Sequence, residues 1–272
     1  MVDVRLVSDA GRIGPGRKFR LGLLFAISEG SHIYWRNPGD AGLPPQVNWE
    51  LPDGFVAGPL FWPVPERLEE PGGLSVNAYT DSVLLFSWVQ APAMLDDGEV
   101  ELRVKADWLA CRKICVQEAD SAVVTMAVAE PAEASADAGL FEQFASLVPR
   151  PAGQDPRLSG HARWIESNAD PGVRTGVLVL ETADPGLRLL NDEGAVLFFG
   201  EPTGDLDCES FQLDSRHSSP VKLVLHVRVR RLEGHRWPNS WGGVLSARAI
   251  NESMDTVSVA LSYSFSHSDV NP

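Results

Sequence analysis

The sequence predicts an all-β protein in two domains, and three patterns carry that expectation. Glycine and proline are plentiful, 24 and 20 among 272 residues, and they punctuate recurring β-branched and aromatic runs, as in a turn-rich β chain. One stretch alternates with period two: Val100, Leu102, Val104, Ala106 and Trp108 against Glu99, Glu101, Arg103, Lys105 and Asp107, the pattern of a half-buried strand. Residues 131–139 form part of a small-residue, acidic stretch without large apolar groups. They read as a linker between a first domain at 1–130 and a second, mainly β domain at 140–272. A hydrophobic content of 44% suffices for a core of that extent.

The elements follow in order. Residues 19–27 are a strong strand candidate, and 30–36 a short aromatic strand. Asn37-Pro38-Gly39-Asp40-Ala41-Gly42-Leu43-Pro44-Pro45 is punctuation with few helical options. Extended structure resumes at 47–51 and turns at Pro52-Asp53-Gly54. Residues 58–65 read as a second Pro-punctuated loop that carries Phe61 and Trp62. Strands are expected at 83–89, over the alternating segment and on its return at 122–128. Apolar residues at Leu140, Phe141, Phe144, Leu147 and Val148 outline a short amphipathic helix stopped by Pro149. The second domain offers strands at 176–181, 195–199, 221–229, 244–249 and 256–262.

Composition excludes some classes of function. The net charge is 23 − 37 = −14, which argues against general affinity for nucleic acid or anionic membrane, since phosphate binding needs clustered Lys and Arg. No stretch approaches the ~20 apolar residues of a membrane span. No signal-peptide pattern precedes the strand-like segment at 2–7, a start that fits a mature domain expressed without its export signal. Phosphate loops and the Gly-x-Ser-x-Gly elbow are absent, and Gly242-Gly243 lacks the companions a dinucleotide loop requires.

The most informative residues are Cys111 and Cys115, two of only three cysteines. Disulfides need Cα separations of about 4.4–6.8 Å, which a tight loop or one helical turn supplies. So short a loop removes little unfolded-state entropy, so the pair is a poor staple for a domain with its own core. Arg112 and Lys113 lie between the sulfurs and can stabilise a thiolate; ordinary exposed loop charges are the plainer account of them. Redox exchange, a structural bridge and a soft-metal site all stay open at this point. Two thiolates and an imidazole suit Cu(I). Zinc wants four ligands, and the sequence shows neither a second Cys pair nor an i, i+4 His pair. Cys208 lies in the acidic segment Gly204-Asp205-Leu206-Asp207-Cys208-Glu209, read as a turn whose carboxylates oppose thiolate formation, so a non-catalytic thiol is expected.

Three separated stretches resemble one family. They are Gly30-Ser31-His32-Ile33-Tyr34-Trp35-Arg36-Asn37-Pro38-Gly39-Asp40-Ala41-Gly42, Gly58-Pro59-Leu60-Phe61-Trp62-Pro63-Val64-Pro65-Glu66-Arg67, and Trp108-Leu109-Ala110-Cys111-Arg112-Lys113-Ile114-Cys115-Val116-Gln117-Glu118. In this order they resemble the N-terminal periplasmic domain of the DsbD-type thiol:disulfide interchange proteins, and most of all the copper-sensitivity suppressor (ScsB-like) branch. The resemblance implies an immunoglobulin-like β-sandwich on the periplasmic side of an inner-membrane protein. It implies electrons arriving through the membrane domain and a C-terminal thioredoxin-like domain of the same parent, and leaving to thioredoxin-like periplasmic proteins, with no cofactor. Cys115 would form the mixed disulfide and Cys111 resolve it. Phe61 and Trp62 occupy the stretch of an aromatic cap loop, and His32 and Tyr34 that of aromatic neighbours to the cysteines; satisfied strand residues are the plainer account of the latter two. The family serves processes such as copper tolerance and cytochrome c biogenesis. A copper-binding or protein-binding module with an inert pair is the alternative. The family's best-known members separate the two cysteines by five residues; this chain uses three.

Overall fold

Hydrophobic alternation sets the architecture. The computed structural model describes residues 2–130, 133–165, 170–192 and 194–266, and the chain divides into two compact units, Met1–Val148 and Pro149–Pro272. The first contains β1 (Val2–Ser8), β2 (Arg12–Ile13), β3 (Lys18–Ile27), β4 (His32–Gly39), β5 (Gln46–Glu50), β6 (Val56–Phe61), β7 (Glu66–Glu70), β8 (Leu74–Tyr79), β9 (Ser82–Gln90), β10 (Gly98–Cys111), β11 (Cys115–Val128) and α1 (Ala138–Ala145). One sheet runs β1-β3-β9-β6. The other runs β2-β11-β10-β4-β8-β7, with β5 also paired to β10. This is the immunoglobulin-like sandwich. Phe19, Leu21, Leu23, Phe25 and Ile27 of β3 are buried, as are Leu102, Val104, Ala106, Trp108 and Ala110 of β10. Phe25 meets Trp108 edge to face at 5.3 Å and joins the two sheets. Each of the large side chains among them contributes about 1.5–3 kcal/mol by leaving water.

Three segments differ from expectation. The returning strand begins at Cys115, not 122, and pairs with β10 along its whole length. Residues 56–61, expected as loop from Gly58 on, form edge strand β6 against β9, with a register shift between Ala57 and Leu60. Gly58-Pro59 fits there because an edge strand needs no N–H from proline and a bulge absorbs the kink. Residues 133–139 of the segment expected as a linker lie along the first unit instead, and 131 and 132 are outside the described residues. Gly11 N donates to the Glu133 carbonyl at 2.7 Å, Ser135 Oγ to the Ser8 carbonyl, and Arg5 pairs with Asp137 at 2.9 Å. Helix α1 then buries Phe141 and Phe144 against Val7, Leu84 and Phe86. Its apolar face needs a cover and finds it there, so the division between units falls after Val148.

The second unit holds β12 (Arg150–Pro151), β13 (Leu158–Ile165), β14 (Val173–Thr182), β15 (Arg188–Leu189), β16 (Val196–Gly200), β17 (Leu206–Leu213), β18 (Lys222–Arg231), β19 (Ser240–Ile250) and β20 (Thr256–Ser266). Its sheets are β12-β20-β19-β15, with β16 on β19, and β13-β14-β18-β17. Their inner faces share one core that includes Trp164, Phe198, Leu225, Leu245 and Phe265. Cys208 lies on β17 opposite Val229, beside a register shift, and packs on that core. The acidic turn expected there is a strand because Leu206, Cys208 and Phe211 have an apolar face to cover. Among the described residues no helix is long and apolar enough to cross a membrane.

Candidate functional site

The β10–β11 hairpin carries both cysteines at its tip. Cys111 ends β10, Cys115 begins β11, and the two stand directly opposite in the ladder. Their Cα atoms are 4.0 Å apart and the sulfurs are bonded. Only Arg112, Lys113 and Ile114 lie between, closed by a hydrogen bond from Arg112 N to the Ile114 carbonyl at 3.2 Å. Strand parity decides which way the sulfurs point. Even-numbered residues 102–110 of β10 fill the sandwich, so Cys111 falls on the outer face with Arg103, Lys105 and Asp107. Cys111 is nevertheless only 2% exposed, because a local cluster of Tyr34, Val76 and Ala78, flanked by Ala41, Leu68 and Leu109, covers it. Cys115 is exposed. The bond therefore joins one protected and one accessible sulfur.

Strand β4 brings the next residues. His32 pairs directly across from Cys111, and Tyr34, two residues on, shares its face. The two rings meet edge to face at 5.1 Å. Tyr34 Oη donates to Cys111 Sγ at 3.0 Å and lies 3.9 Å from Cys115 Sγ. The same hydroxyl also donates to Glu70 Oε1 at 3.2 Å, so its one proton is shared between the carboxylate and the sulfur. Burial and the neighbouring Glu70 carboxylate push the Tyr34 hydroxyl up to about 12, so it is a proton donor throughout the neutral range. The loop after β4 secures the ring. Gly42 holds φ +106°, and a Cβ there would fall 2.3 Å from Tyr34 Cε1, so the backbone lies flat on the phenol in a conformation that favours glycine.

Glu70 is the site residue that the sequence reading missed. It ends β7, where Leu68 pairs with Val76 and Glu70 with Leu74. Leu68 packs beside Cys111, and Glu70 shares its face by period two. That spacing, Leu68 to Glu70, was the available signal. His32 Nε2 lies 2.9 Å from Glu70 Oε1; it is buried and makes no hydrogen bond, its N–H direction missing the carboxylate. Donor atoms of His32, Glu70 and Cys111 all lie within 4.8 Å of one another, a group that could hold a metal ion once the disulfide is reduced.

Phe61 stacks on Phe86 at 5.1 Å, in the cluster that also holds Phe141, and is not in the cluster around Cys111. Trp62 follows it in the loop before β7, half-buried. Arg112 is exposed and lies against Gly30, where a Cβ would meet its Nε at 3.4 Å.

Chemically, the arrangement is a disulfide between an exposed cysteine and a buried one that has a hydroxyl within hydrogen-bond distance, and access of a sulfur to attack is what thiol–disulfide exchange needs. Comparison with known proteins agrees. Residues 5–127 match the family described as thiol:disulfide interchange protein DsbD, N-terminal. The first unit is a DsbD-type N-terminal domain, of the thiol–disulfide exchange class. The N-terminal periplasmic domain of ScsB from Proteus mirabilis has a similar fold, with 18% identity and a TM-score of 0.60 over 97% of this chain and 92% of that one, so the likeness spans both units. The reduced DsbD N-terminal domain of Neisseria meningitidis covers 47% of this chain and 89% of its own at 11% identity, with a TM-score of 0.28. No curated protein matches the sequence.

Proposed function

We propose that this chain is a periplasmic thiol–disulfide exchange module, part of an inner-membrane protein, that passes electrons from a membrane reductant to thioredoxin-like periplasmic proteins. The observation that carries the reading is the unequal burial of the two sulfurs, Cys111 at 2% exposure and Cys115 exposed. In the reduced form the Cys115 thiolate attacks a partner disulfide. The partner's S–S bond breaks, its leaving sulfur departs as thiolate, and a mixed disulfide forms on Cys115. The Cys111 thiolate, with Tyr34 Oη as its donor, then attacks Cys115 Sγ. The intramolecular disulfide re-forms and the second partner sulfur is released. Two electrons pass from the pair to the partner, and the two thiol protons balance the partner's two thiolates.

Ile114, 75% exposed, and exposed Val116 flank Cys115 and give a docking partner an apolar rim. The shielding expected of Phe61 and Trp62 we assign to Ala41, Gly42 and Leu68, which lie on Tyr34 and beside Cys111. In a copper-tolerance or cytochrome c setting, the partner would be the thioredoxin-like protein of that process.

The test is trapping. Cys111→Ala should accumulate a mixed disulfide on Cys115 with an oxidised periplasmic thioredoxin-like protein, and Cys115→Ala should not. If neither variant forms an adduct, and the reduced wild type leaves the partner oxidised, the proposal fails.

A further inference from the structure

The buried imidazole of His32 has no explanation in exchange chemistry. Its Nε2 faces a carboxylate oxygen 2.9 Å away yet makes no hydrogen bond, and a buried polar atom without one is destabilising. A cation between imidazole and carboxylate would satisfy both. The sulfurs supply the remaining donors, but only when the disulfide is open.

We propose that the reduced pair closes with His32 and Glu70 into a four-donor site for Zn2+, and that zinc and the disulfide exclude each other. The proposal rests on the exchange reading only in that the pair must be reducible. Cys111 Sγ, an imidazole nitrogen of His32 and a Glu70 carboxylate oxygen already lie within 4.8 Å of one another, and Cys115 Sγ is bonded to Cys111 Sγ. Zinc takes thiolate at about 2.3 Å, imidazole at about 2.0–2.1 Å and carboxylate at about 2.0–2.2 Å in a tetrahedron. Those lengths put neighbouring donors about 3.3–3.8 Å apart, so the group closes by roughly an ångström of side-chain rotation. The frame is stiff: Cys115 and His32 each stand opposite Cys111 in the ladder, and Glu70 comes from the paired end of β7. Tyr34 Oη reaches both Glu70 and Cys111, the outer hydrogen bond that orients metal ligands.

The donor set also selects the metal. Two thiolates and a carboxylate carry three negative charges, which Zn2+ reduces to one and Cu+ only to two. A buried site disfavours the larger residual charge. Cu(I) prefers soft sulfur and nitrogen ligands and would leave the carboxylate out. Binding converts two thiols to two metal-bound thiolates and releases two protons. The thiolates then stand coordinated and shielded from a partner disulfide, so zinc would hold the module in its reduced form and out of exchange.

The experiment uses the full chain reduced with a phosphine, without partner, and zinc alone as the probe. The reduced protein should bind one Zn2+, release about two protons in a weakly buffered titration and lose thiol reactivity toward an aromatic disulfide reagent. The oxidised protein should bind none. Glu70→Gln, which keeps size and shape, and His32→Ala should each weaken binding by more than the roughly 10–100-fold typical of an outer-shell contact. Should His32→Ala fail to fold, Glu70→Gln carries the test. Wild-type affinity in Glu70→Gln, or zinc bound equally by the oxidised chain, overturns the proposal. So does stoichiometric Cu(I) binding without zinc binding. The two readings fail separately: a chain that binds zinc but traps no partner loses the exchange function alone, and a chain that traps a partner but binds no zinc loses the metal site alone.

Discussion

Tyr34 Oη stands 3.0 Å from Cys111 Sγ but 3.9 Å from Cys115 Sγ, so the phenol serves the buried sulfur. Attack on Cys115 drives electron density onto Cys111, where a donor is already in place. Tyr34→Phe removes that donor with little change in shape. A hydrogen bond to a charged group is worth about 1.5–3 kcal/mol, so reduction of the disulfide by a small dithiol should slow about tenfold to a hundredfold. A rate within twofold of wild type would show that the contact is packing alone.

Gly42 fixes that geometry from outside. Gly42→Ala adds a Cβ 2.3 Å from the Tyr34 ring at φ +106°, a backbone cost of about 1–3 kcal/mol. The loop should lift, Tyr34 should lose its place over Cys111, and the buried thiol of the reduced protein should react faster with an alkylating reagent. Unchanged reactivity together with a lowered melting temperature would separate simple strain from shielding.

Arg20 ties helix α1 to strand β3. Its guanidinium, 13% exposed, pairs with Asp9 at 2.6 Å and Glu142 at 2.5 Å and lies over the Trp88 and Phe141 rings. Arg20→Ala strands the half-buried Asp9. The expected loss is about 2 kcal/mol, between the values for exposed and for fully buried pairs, read as a lower denaturant midpoint. Limited proteolysis should then cut first around 131–148.

Much of the fold was legible, and the misses share a cause. The alternation from Val100 to Trp108 predicts the strand, and carried three residues further it places Cys111 on the face opposite the core. His32 and Tyr34 entered through the family resemblance alone, and strand β4 puts them on one face by their i, i+2 spacing. Glu70 was not legible, because Glu69-Glu70 before Pro71-Gly72-Gly73 looks like any acidic turn until β7 is paired with β8. The Gly58-Pro59 step hid β6, since a bulge on an edge strand looks like a loop. Residues 133–139 misled because the small and acidic residues that attach them, by backbone hydrogen bonds and by ion pairs to Arg5 and Arg12, are also those of a linker.

In the second unit the Asp155 carboxylate, 6% exposed, accepts from Arg157 Nε at 3.1 Å and Nη2 at 2.9 Å. Those hydrogen bonds hold it below the usual carboxylate range against the opposing effect of burial. A depressed carboxyl contributes stability above its unfolded value, near 3.9, and loses it as pH falls through the folded value. Asp155→Asn should therefore lower the melting temperature at pH 7, by an amount that shrinks below about pH 4. A difference that holds constant across that range would assign the effect to shape rather than charge.

The bond at the hairpin tip joins two residues that the strand ladder already holds face to face. Opening it liberates only Arg112, Lys113 and Ile114, while the paired strands behind them stay fixed. Opening the bond should therefore leave the outline of the hairpin nearly unchanged. The domain records its redox state in the charge and bonding of two atoms, and a partner that distinguishes the states must read them at the sulfurs themselves.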